Sequence, residues 1–225
     1  MKRNLVIATV AAAALIGGGT ATAVAVGSDD DAPAKKSSVQ VREDAQDDGD
    51  DAKEEAAEAK DDAAQAKAAK LSVDEAIAKA LAGTPGAAVS AELDSDDGNL
   101  VWDVDILGEG AEGGWTSVQV DPGDGKVLGT HKDDDSDDGA QAVRDALKGA
   151  GTTASEAAEA VAGAKDGTAV TAVELDDDGP DRVWHVETTN AAGEQQEWRV
   201  PLDATDVTAA PADQDDADDD GSDDD

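Results

Sequence analysis

The chain has 225 residues and is strongly acidic, with 54 Asp and Glu residues against 17 Lys and Arg and a formal charge of −37 at neutral pH. This charge excludes a basic nucleic-acid binder, because such proteins need clustered Lys and Arg to displace the counterions of phosphate. The sequence contains no Cys and only two His. Disulfide bonds, thiolate metal sites and a Cys nucleophile are therefore excluded, and a His-based zinc site is not expected.

The first 27 residues have the pattern of a secretory signal peptide. Lys2 and Arg3 precede an apolar run over residues 5–16, and Ala21-Thr22-Ala23 has the small residues found at cleavage sites. An uncleaved N-terminal anchor is the alternative, because the apolar and Gly-rich residues that follow Arg3 carry no charge up to residue 27. Both interpretations predict a secreted or cell-envelope protein, which contacts the membrane only through residues 5–27 and only if the signal is retained.

Two polar segments flank the informative part of the chain. Residues 28–69 form an acidic linker rich in Ala, Glu, Lys and Asp, in which burial of apolar groups cannot offset the entropy of ordering. Its Ala/Glu/Lys-rich part, from Ala52 to Lys70, favours a solvated helix. Residues 209–225 are mostly Asp, and we expect this tail to be disordered.

Residues 70–132 and 151–208 repeat one sequence pattern, which predicts two copies of a small domain. The corresponding blocks are Ser72–Ala76 with Thr153–Ala157, Ala88–Leu93 with Ala169–Leu175, Val101–Val104 with Val183–Val186, and Val118–Asp121 with Val200–Asp203. Four blocks in the same order are difficult to attribute to shared composition alone. An acidic linker over residues 133–150 separates the copies, and we expect a short helix in it at about Ala140–Lys148.

Each copy is predicted to begin with a helix and to continue as antiparallel strands. A Ser or Thr followed three residues later by Glu forms a capping box at the start of each helix. Apolar residues recur at helical spacing and then alternate, as in half-buried strands. The residues expected to face the core are Val73, Ile77, Ala80 and Leu81 on the first helix, Ala157, Ala158, Val161 and Ala162 on the second, and Leu100, Trp102, Val104, Ile106, Val118, Val120, Trp184, Val186, Trp198, Val200 and Leu202 on strands.

The predicted fold class is α+β, with each copy made of one helix packed on an antiparallel β-sheet of three to four strands and acidic disordered linkers between them. Pro201 lacks an N–H, so its strand is expected either at an edge of the sheet or with its N–H side turned to solvent. Trp115 is out of phase with the apolar residues of its strand, and we expect it on the opposite face. There it either packs against a loop or anchors a partner.

The order of motifs in the first copy resembles the PepSY domain. These motifs are Ser72-x-x-Glu75-Ala76, Pro85-Gly86, Val89-x-x-Glu92, Trp102-x-Val104 and Val120-Asp121-Pro122-Gly123-Asp124-Gly125-Lys126-Val127-Leu128. The second copy is similar, although Leu202-Asp203 lacks the following glycines. The family occurs in propeptides of thermolysin-like metallopeptidases and in bacterial secreted or envelope proteins. The resemblance therefore implies a non-enzymatic module that inhibits or regulates a peptidase, and it supplies no catalytic or binding residue.

Asp-rich segments resemble calcium-binding loops only in part. Asp134-x-Ser136-x-Asp138-Gly139 has Asp145 where an EF-hand loop has a bidentate Glu, and Asp216-x-Asp218-x-Asp220-Gly221 matches the opening spacing alone. Chance matches of this kind are expected in a chain with so many Asp residues. We therefore predict no metal site and no cofactor, apart from weak, nonspecific calcium binding that follows from the charge density.

Other candidate sites also have simpler interpretations. Asp103 and Asp105 share the outer face of a strand, but no apolar pocket is evident that would raise the pKa of either for acid–base catalysis. His185 and His131 have no second His or nucleophile near them in the sequence, and we interpret both as surface residues. No nucleophile elbow and no phosphate-binding glycine loop occurs. The sequence therefore predicts no catalytic residue.

Together these features predict an exported, non-enzymatic protein that binds and modulates an extracytoplasmic peptidase, with a secreted or envelope metallopeptidase as the expected partner. The alternative is an acidic cell-envelope protein that loosely binds cations such as calcium or acts as a spacer. Whether the two copies pack against each other does not follow from the sequence.

Overall fold

A computed structural model describes residues 35–41, 51–96, 98–110, 113–133, 139–176 and 182–210. The predicted signal or anchor lies outside the described residues, as do both Asp-rich openings of the calcium-like loops and the tail from residue 211. Helix α1 (Asp51–Ala68) lies in the segment for which the sequence favours a helix. Among the described residues, no helix is long and apolar enough to cross a membrane.

The first repeat is one helix followed by a four-stranded antiparallel meander. Its elements are α2 (Val73–Gly83), β1 (Gly86–Asp96), β2 (Asn99–Gly108), β3 (Trp115–Val120) and β4 (Val127–Asp133). Each strand pairs with the one that follows it. Gly98 has a φ of +73°, a left-handed conformation that closes the tight β1–β2 turn at little cost for glycine.

The second repeat follows the same order. Its elements are the joining helix α3 (Ala140–Leu147), then α4 (Ala154–Ala164), β5 (Thr168–Asp176), β6 (Val183–Asn190), β7 (Gln195–Pro201) and β8 (Thr208–Ala209). The joining helix confirms the prediction of a short helix between the copies. Helix α2 ends just before Thr84-Pro85-Gly86, and α4 ends just before Lys165-Asp166-Gly167, segments whose Pro and Gly residues are typical of helix ends.

The two repeats form one continuous sheet. Its strand order is β4-β3-β2-β1-β5-β6-β7-β8, so the first strands of the two repeats lie side by side at the centre. Three residue pairs make this antiparallel junction, and the middle pair, Ala91 with Val173, is buried. The strand order is therefore symmetric about the junction, and the fold is an α+β arrangement in which both repeats share a sheet.

A single hydrophobic core fills the space between one face of the sheet and helices α2 and α4, which also contact each other. Nearly all of the residues predicted to face the core are buried. Two helix residues differ from the prediction: Leu81 is only half-buried and Ala162 is exposed. Both residues lie at the margin of the apolar helix face that packs on the sheet. That face is therefore narrower than the sequence pattern predicted.

Trp102 and Trp184 occupy equivalent places in the core, which confirms their predicted burial. Their exposed fractions are 1% and 0%. The indole Nε1 of Trp102 donates to the Leu71 carbonyl at 3.1 Å, and that of Trp184 donates to the Thr152 carbonyl at 3.0 Å. Each carbonyl immediately precedes the N-cap residue of its repeat's helix. The indole therefore satisfies its own N–H and fixes the start of the helix against the sheet.

Both predicted capping boxes form, and they explain where the two helices begin. The backbone N–H of Ser72 donates to Glu75 at 3.1 Å, and that of Thr153 donates to Glu156 at 2.8 Å. In the second repeat the N–H of Glu156 also donates to the Thr153 hydroxyl at 3.3 Å. These bonds satisfy backbone donors that the first helical turn leaves unpaired.

The two edges of the sheet differ in length. Strand β4 forms one edge with seven residues, whereas β8 has two residues and pairs only with Trp198 and Arg199 of β7. Strand β7 lies between β6 and β8, so the expectation that it forms an edge of the sheet is wrong. Pro201 itself lies beyond the two residues of β7 that pair with β8, where its missing N–H costs no ladder bond to β8. On β4, Val127 is 37% exposed, the largest exposure of any large apolar side chain in the described part of the chain.

Candidate functional site

The sheet face opposite α2 and α4, hereafter the outer face, carries carboxylates from both repeats. They stand at alternate positions of five adjacent strands, between residues that point into the core. The outer-face carboxylates are Glu92, Asp94, Asp103, Asp105, Glu174, Asp176, Glu187 and Glu197. The β1–β5 junction brings the two sets together, so that Glu92 is repelled by Glu187 and Glu174 of the other repeat.

Four of these carboxylates are partly desolvated. Burial raises the pKa of Glu92 and Glu174 above the ordinary value for a glutamate. Repulsion from Asp94 raises the pKa of Glu92 further, whereas the neighbouring His185 opposes the rise at Glu174. Both residues lie next to the junction, where strands on either side remove water and bring like charges close.

The other two partly desolvated carboxylates, Asp103 and Glu187, accept hydrogen bonds from hydroxyl or amide groups. Burial raises the pKa of Asp103, although Ser117 donates to it at 3.0 Å and Gln119 at 3.4 Å. Burial likewise raises the pKa of Glu187, which accepts a hydrogen bond from Thr171 at 2.9 Å. These neutral donors orient the carboxylates and favour their charged form, which opposes the effect of burial on both pKa values.

Asp103 and Asp105, the pair considered for acid–base catalysis, are neighbours on β2. Asp105 accepts a hydrogen bond from Ser90 at 3.0 Å, across the β1–β2 pair. Each carboxylate therefore has its own hydroxyl donor, and the two belong to the larger band of outer-face carboxylates. The structure places both on the outer strand face, as the alternation in the sequence predicted. Burial nevertheless raises the pKa of Asp103, which the sequence did not indicate.

His185 lies within the same band, between two carboxylates. Its Nδ1 contacts Glu197, and its Nε2 lies 3.3 Å from Asp176. About a quarter of its side chain is exposed, 23%. His131 lies on β4, opposite Ser117. The two histidines therefore belong to different repeats and different strands, and the structure does not bring them together.

Trp115 lies on the outer face with the phase that the sequence predicted. It is half-buried, packs against residues of the core cluster and faces Leu107 across the β2–β3 pair. Nearby, the guanidinium of Arg144 on α3 donates to the Gly113 carbonyl, just before β3. The Trp115 side chain therefore packs at the end of a strand, which corresponds to the first of its two predicted roles.

A cavity of about 290 Å³ lies between the end of α1, the start of α2, helix α4 and strand β5. Leu93 and Trp102 form part of its apolar lining, while Lys70 and Thr171 contribute polar groups. This is the side of the junction where β1 and β5 separate after their three residue pairs. Helix α1 closes part of this gap, since Gln65 donates to Ser95 at 3.5 Å.

Asp121, in the turn between β3 and β4, is the most fully hydrogen-bonded carboxylate of the chain's described part, and sequence reasoning did not single it out. Its residue is 3% exposed. Burial opposes its ionisation, but hydrogen bonds from Ser38, Gly123 and Asp124 outweigh burial and hold the pKa of Asp121 below its ordinary value. The contact with Ser38 joins residues 83 positions apart.

Metal binding has no preformed site in the residues that the structure describes, because no three His, Asp or Glu side chains there are arranged to hold an ion. The described part of the first calcium-like loop contains Asp145. Its carboxylate accepts hydrogen bonds from Gln141 at 3.0 Å and from Lys148 at 2.7 Å. The openings of both calcium-like loops lie outside the described residues.

Comparison with protein families gives one match that covers both repeats. The PepSY model, described as peptidase propeptide and YPEB domain, matches residues 70–131 and 153–206, which together are more than half of the chain. No curated protein matches the sequence. Among solved structures, a presumed lipoprotein from Clostridium difficile 630 is similar with a TM-score of 0.33 and 20% identity, over 54% of this chain and 79% of that chain. A similarity of that size supports no functional conclusion.

Proposed function

Because the chain belongs to the PepSY family, we propose that it is an exported, non-enzymatic protein that binds an extracytoplasmic peptidase and restrains its activity. The observation that carries this proposal is the tandem family match on one continuous sheet. The family description refers to the propeptides of peptidases, which are segments that bind peptidases. Two such modules joined edge to edge provide one extended surface instead of two independent ones.

We propose that the peptidase binds to the outer face of the sheet. This face crosses both repeats, and its eight carboxylates share the five strands on which they lie with one arginine, Arg199. Helix α1 contacts β1, β5 and β6, and its Asp62 adds to the repulsion at Glu187. A cationic region of the peptidase would relieve the repulsion that the outer-face carboxylates exert on one another. Charge complementarity of this kind accelerates association and makes binding sensitive to salt.

Export supports an extracytoplasmic partner. The pattern from Lys2 to Ala23 is that of a secretory signal. We propose that the protein is secreted or held at the cell envelope, by an N-terminal anchor if the signal is retained. N-terminal sequencing of the exported protein distinguishes these two forms.

The test is inhibition of the metallopeptidases secreted by the same cell, titrated with the exported protein. We expect saturable slowing of hydrolysis that weakens by about tenfold or more when the four partly desolvated carboxylates are neutralised together. This outer-face variant carries Glu92→Gln, Asp103→Asn, Glu174→Gln and Glu187→Gln. A control variant with an equal change of charge, at exposed residues outside the outer face, carries Glu159→Gln, Asp166→Asn, Asp203→Asn and Asp206→Asn. Equal inhibition by both variants would contradict the assigned surface, and no slowing of any such peptidase would contradict the function.

The second candidate function is loose binding of cations by an envelope protein. It is favoured by the outer-face carboxylates and by the formal charge of −37, which concentrates counterions around the chain. Calorimetry with calcium distinguishes the two. Many weak, salt-sensitive calcium sites without saturable peptidase binding would favour the second function, whereas tight peptidase binding with little calcium heat would favour the first.

A further inference from the structure

Residues 35–41, hereafter the strap, lie beside the start of β2 in the first repeat, where Gln40 and Asn99 form an isolated antiparallel bridge. The Leu100 N–H donates to the Val39 carbonyl at 3.1 Å, and the Val41 N–H donates to the Gly98 carbonyl at 2.9 Å. At this point β1 occupies one side of β2, and β3 begins to pair with β2 only at Trp102. The strap therefore fills a strand position that β3 leaves open.

The strap is also held at its other end, by the turn that follows β3. The backbone N–H of Ser38 donates to Asp121 at 2.7 Å, and its hydroxyl donates to the other carboxylate oxygen at 2.8 Å. The Lys35 N–H donates to the Leu128 carbonyl at 3.1 Å. Hydrogen bonds to an ionised acceptor are stronger than neutral ones, so Asp121 fixes the register of the strap.

Two glycines shape the groove that receives the strap. A Cβ on Gly123 would lie 2.5 Å from the Ser38 hydroxyl oxygen and 2.8 Å from a methyl group of Val39. A Cβ on Gly98 would lie 2.8 Å from the Val41 carbonyl oxygen. All three distances are shorter than ordinary contacts of a methyl group. The groove therefore has no room for a Cβ at these two positions, because side chains of the strap fill the space at Gly123 and a backbone carbonyl of the strap fills it at Gly98.

The groove also selects side chains. Val39 and Val41 pack against the core, while Gln40 between them is exposed. The buried Ser37 accepts the Val39 N–H on its hydroxyl oxygen at 3.1 Å, and Ser38 supplies the hydroxyl that Asp121 requires. The pattern that fits is therefore Ser-Ser-Val-x-Val in an extended conformation, as in recognition by strand addition.

The carboxylate that holds the strap has no buried counterpart in the second repeat. There β7 runs one residue further than β3 does, because Pro201 pairs with Val183. Asp203, the counterpart of Asp121 in the sequence repeat, is exposed. The buried Asp121 is thus particular to one repeat, and it does not follow from the fold that the two repeats share.

We propose that this groove, formed by residues 98–100, Asp121–Gly123 and Leu128, is a binding site for an extended peptide, and that the strap is its intramolecular occupant. The strap is short, with seven described residues, and the entropy of ordering it opposes the few hydrogen bonds that it gains. An extended segment of a partner polypeptide with the Ser-Ser-Val-x-Val pattern can therefore displace the strap. This proposal does not depend on the proposed function, because it requires no peptidase.

The test uses the full chain with a protease-recognition sequence introduced between residues 42 and 50, and a fluorescent synthetic peptide covering residues 33–43. After cleavage and removal of the N-terminal piece, anisotropy should show saturable binding of the peptide. The uncut chain should bind it about tenfold or more weakly, since the tethered strap competes at high effective concentration. A peptide with Ser38→Ala should bind about tenfold or more weakly, because it lacks a hydrogen bond to a charged acceptor.

Matched glycine variants identify the groove. Gly123→Ala should abolish binding of the peptide to the cut chain, whereas Gly163→Ala, where a Cβ meets nothing within 4 Å, should leave it unchanged. In the uncut chain, Val39→Asp with Val41→Asp should release the strap and allow the peptide to bind without cleavage. The proposal is overturned if neither released form binds the peptide, if the two glycine variants bind it equally, or if the cut chain loses its circular dichroism spectrum.

Discussion

Replacement of Trp184 by Phe tests whether the two repeats unfold as one cooperative unit. The substitution removes the indole N–H that donates to the Thr152 carbonyl at 3.0 Å, in a side chain with 0% exposure. A buried carbonyl that loses its donor costs about 1–3 kcal/mol. The smaller ring leaves a void that adds about 1 kcal/mol. The expected loss of unfolding free energy is therefore about 2–4 kcal/mol.

For a folded unit of this size, each kcal/mol lowers the melting temperature by about 2–4 °C. We therefore expect Trp184→Phe to lower Tm by roughly 5–15 °C, measured by calorimetry and by far-ultraviolet circular dichroism. Because β1 and β5 share a sheet and α2 contacts α4, the first repeat should melt with the second in a single transition. Trp102→Phe should have a similar effect, since its indole makes the equivalent hydrogen bond.

Trp115→Phe is the matched control, because Trp115 is half-buried at the end of a strand. We expect it to change the free energy of unfolding by about 1 kcal/mol or less. The reasoning is refuted if Trp184→Phe melts at the temperature of the unaltered protein. It is also refuted if the variant shows two separate transitions, one of them unchanged, because the second repeat would then unfold without the first.

Two other predictions concern pH and glycine. Burial and mutual repulsion raise the pKa of four outer-face carboxylates, so the folded state holds more protons than the unfolded state at mildly acidic pH. The stability that these carboxylates contribute is full below the ordinary carboxyl pKa, and it is lost as the pH rises through their raised pKa values. The outer-face variant lacks these groups. Its urea midpoint should therefore change less between pH 7 and pH 4 than the midpoint of the control variant with equal charge. Gly86→Ala should destabilise the protein by about 1–3 kcal/mol, because its Cβ would lie 2.5 Å from the Leu107 carbonyl oxygen. Gly83 lies in helix α2 with open space around it, so Gly83→Ala should stabilise the protein by up to about 1 kcal/mol in the same urea titration. If Gly83→Ala destabilised the protein as much as Gly86→Ala does, the steric explanation would be contradicted.

The elements of each repeat follow from local sequence because each one carries a complete local signal. The capping boxes place the helix starts, and the alternation over Leu100, Trp102, Val104 and Ile106 determines which face of β2 is buried. A strand's two faces differ in every second residue, so burial of one face can be predicted without knowledge of the neighbouring strand. The carboxylates on the other face of the same strands were predictable for the same reason.

The junction between the repeats could not be predicted in this way. It depends on three residue pairs between segments about 80 positions apart, and the sequence around Ala91 and Val173 resembles that of any half-buried strand. The gathering of carboxylates from both repeats on one surface follows only from that pairing. The strap was missed because Val39 and Val41 are its only large apolar residues in an otherwise polar segment, which is too weak a signal for a strand.

The two repeats have equivalent cores but different ends, and the difference suggests how their roles are divided. In the first repeat β3 stops at Val120, and Asp121 is buried where it accepts the strap. In the second repeat β7 runs one residue further, to Pro201, and the equivalent Asp203 is exposed. Both repeats have the indole hydrogen bond and a capping box, so the shared features serve the fold. What differs between the copies, the buried Asp121 and the strap that it holds, is therefore where a function specific to one repeat is expected.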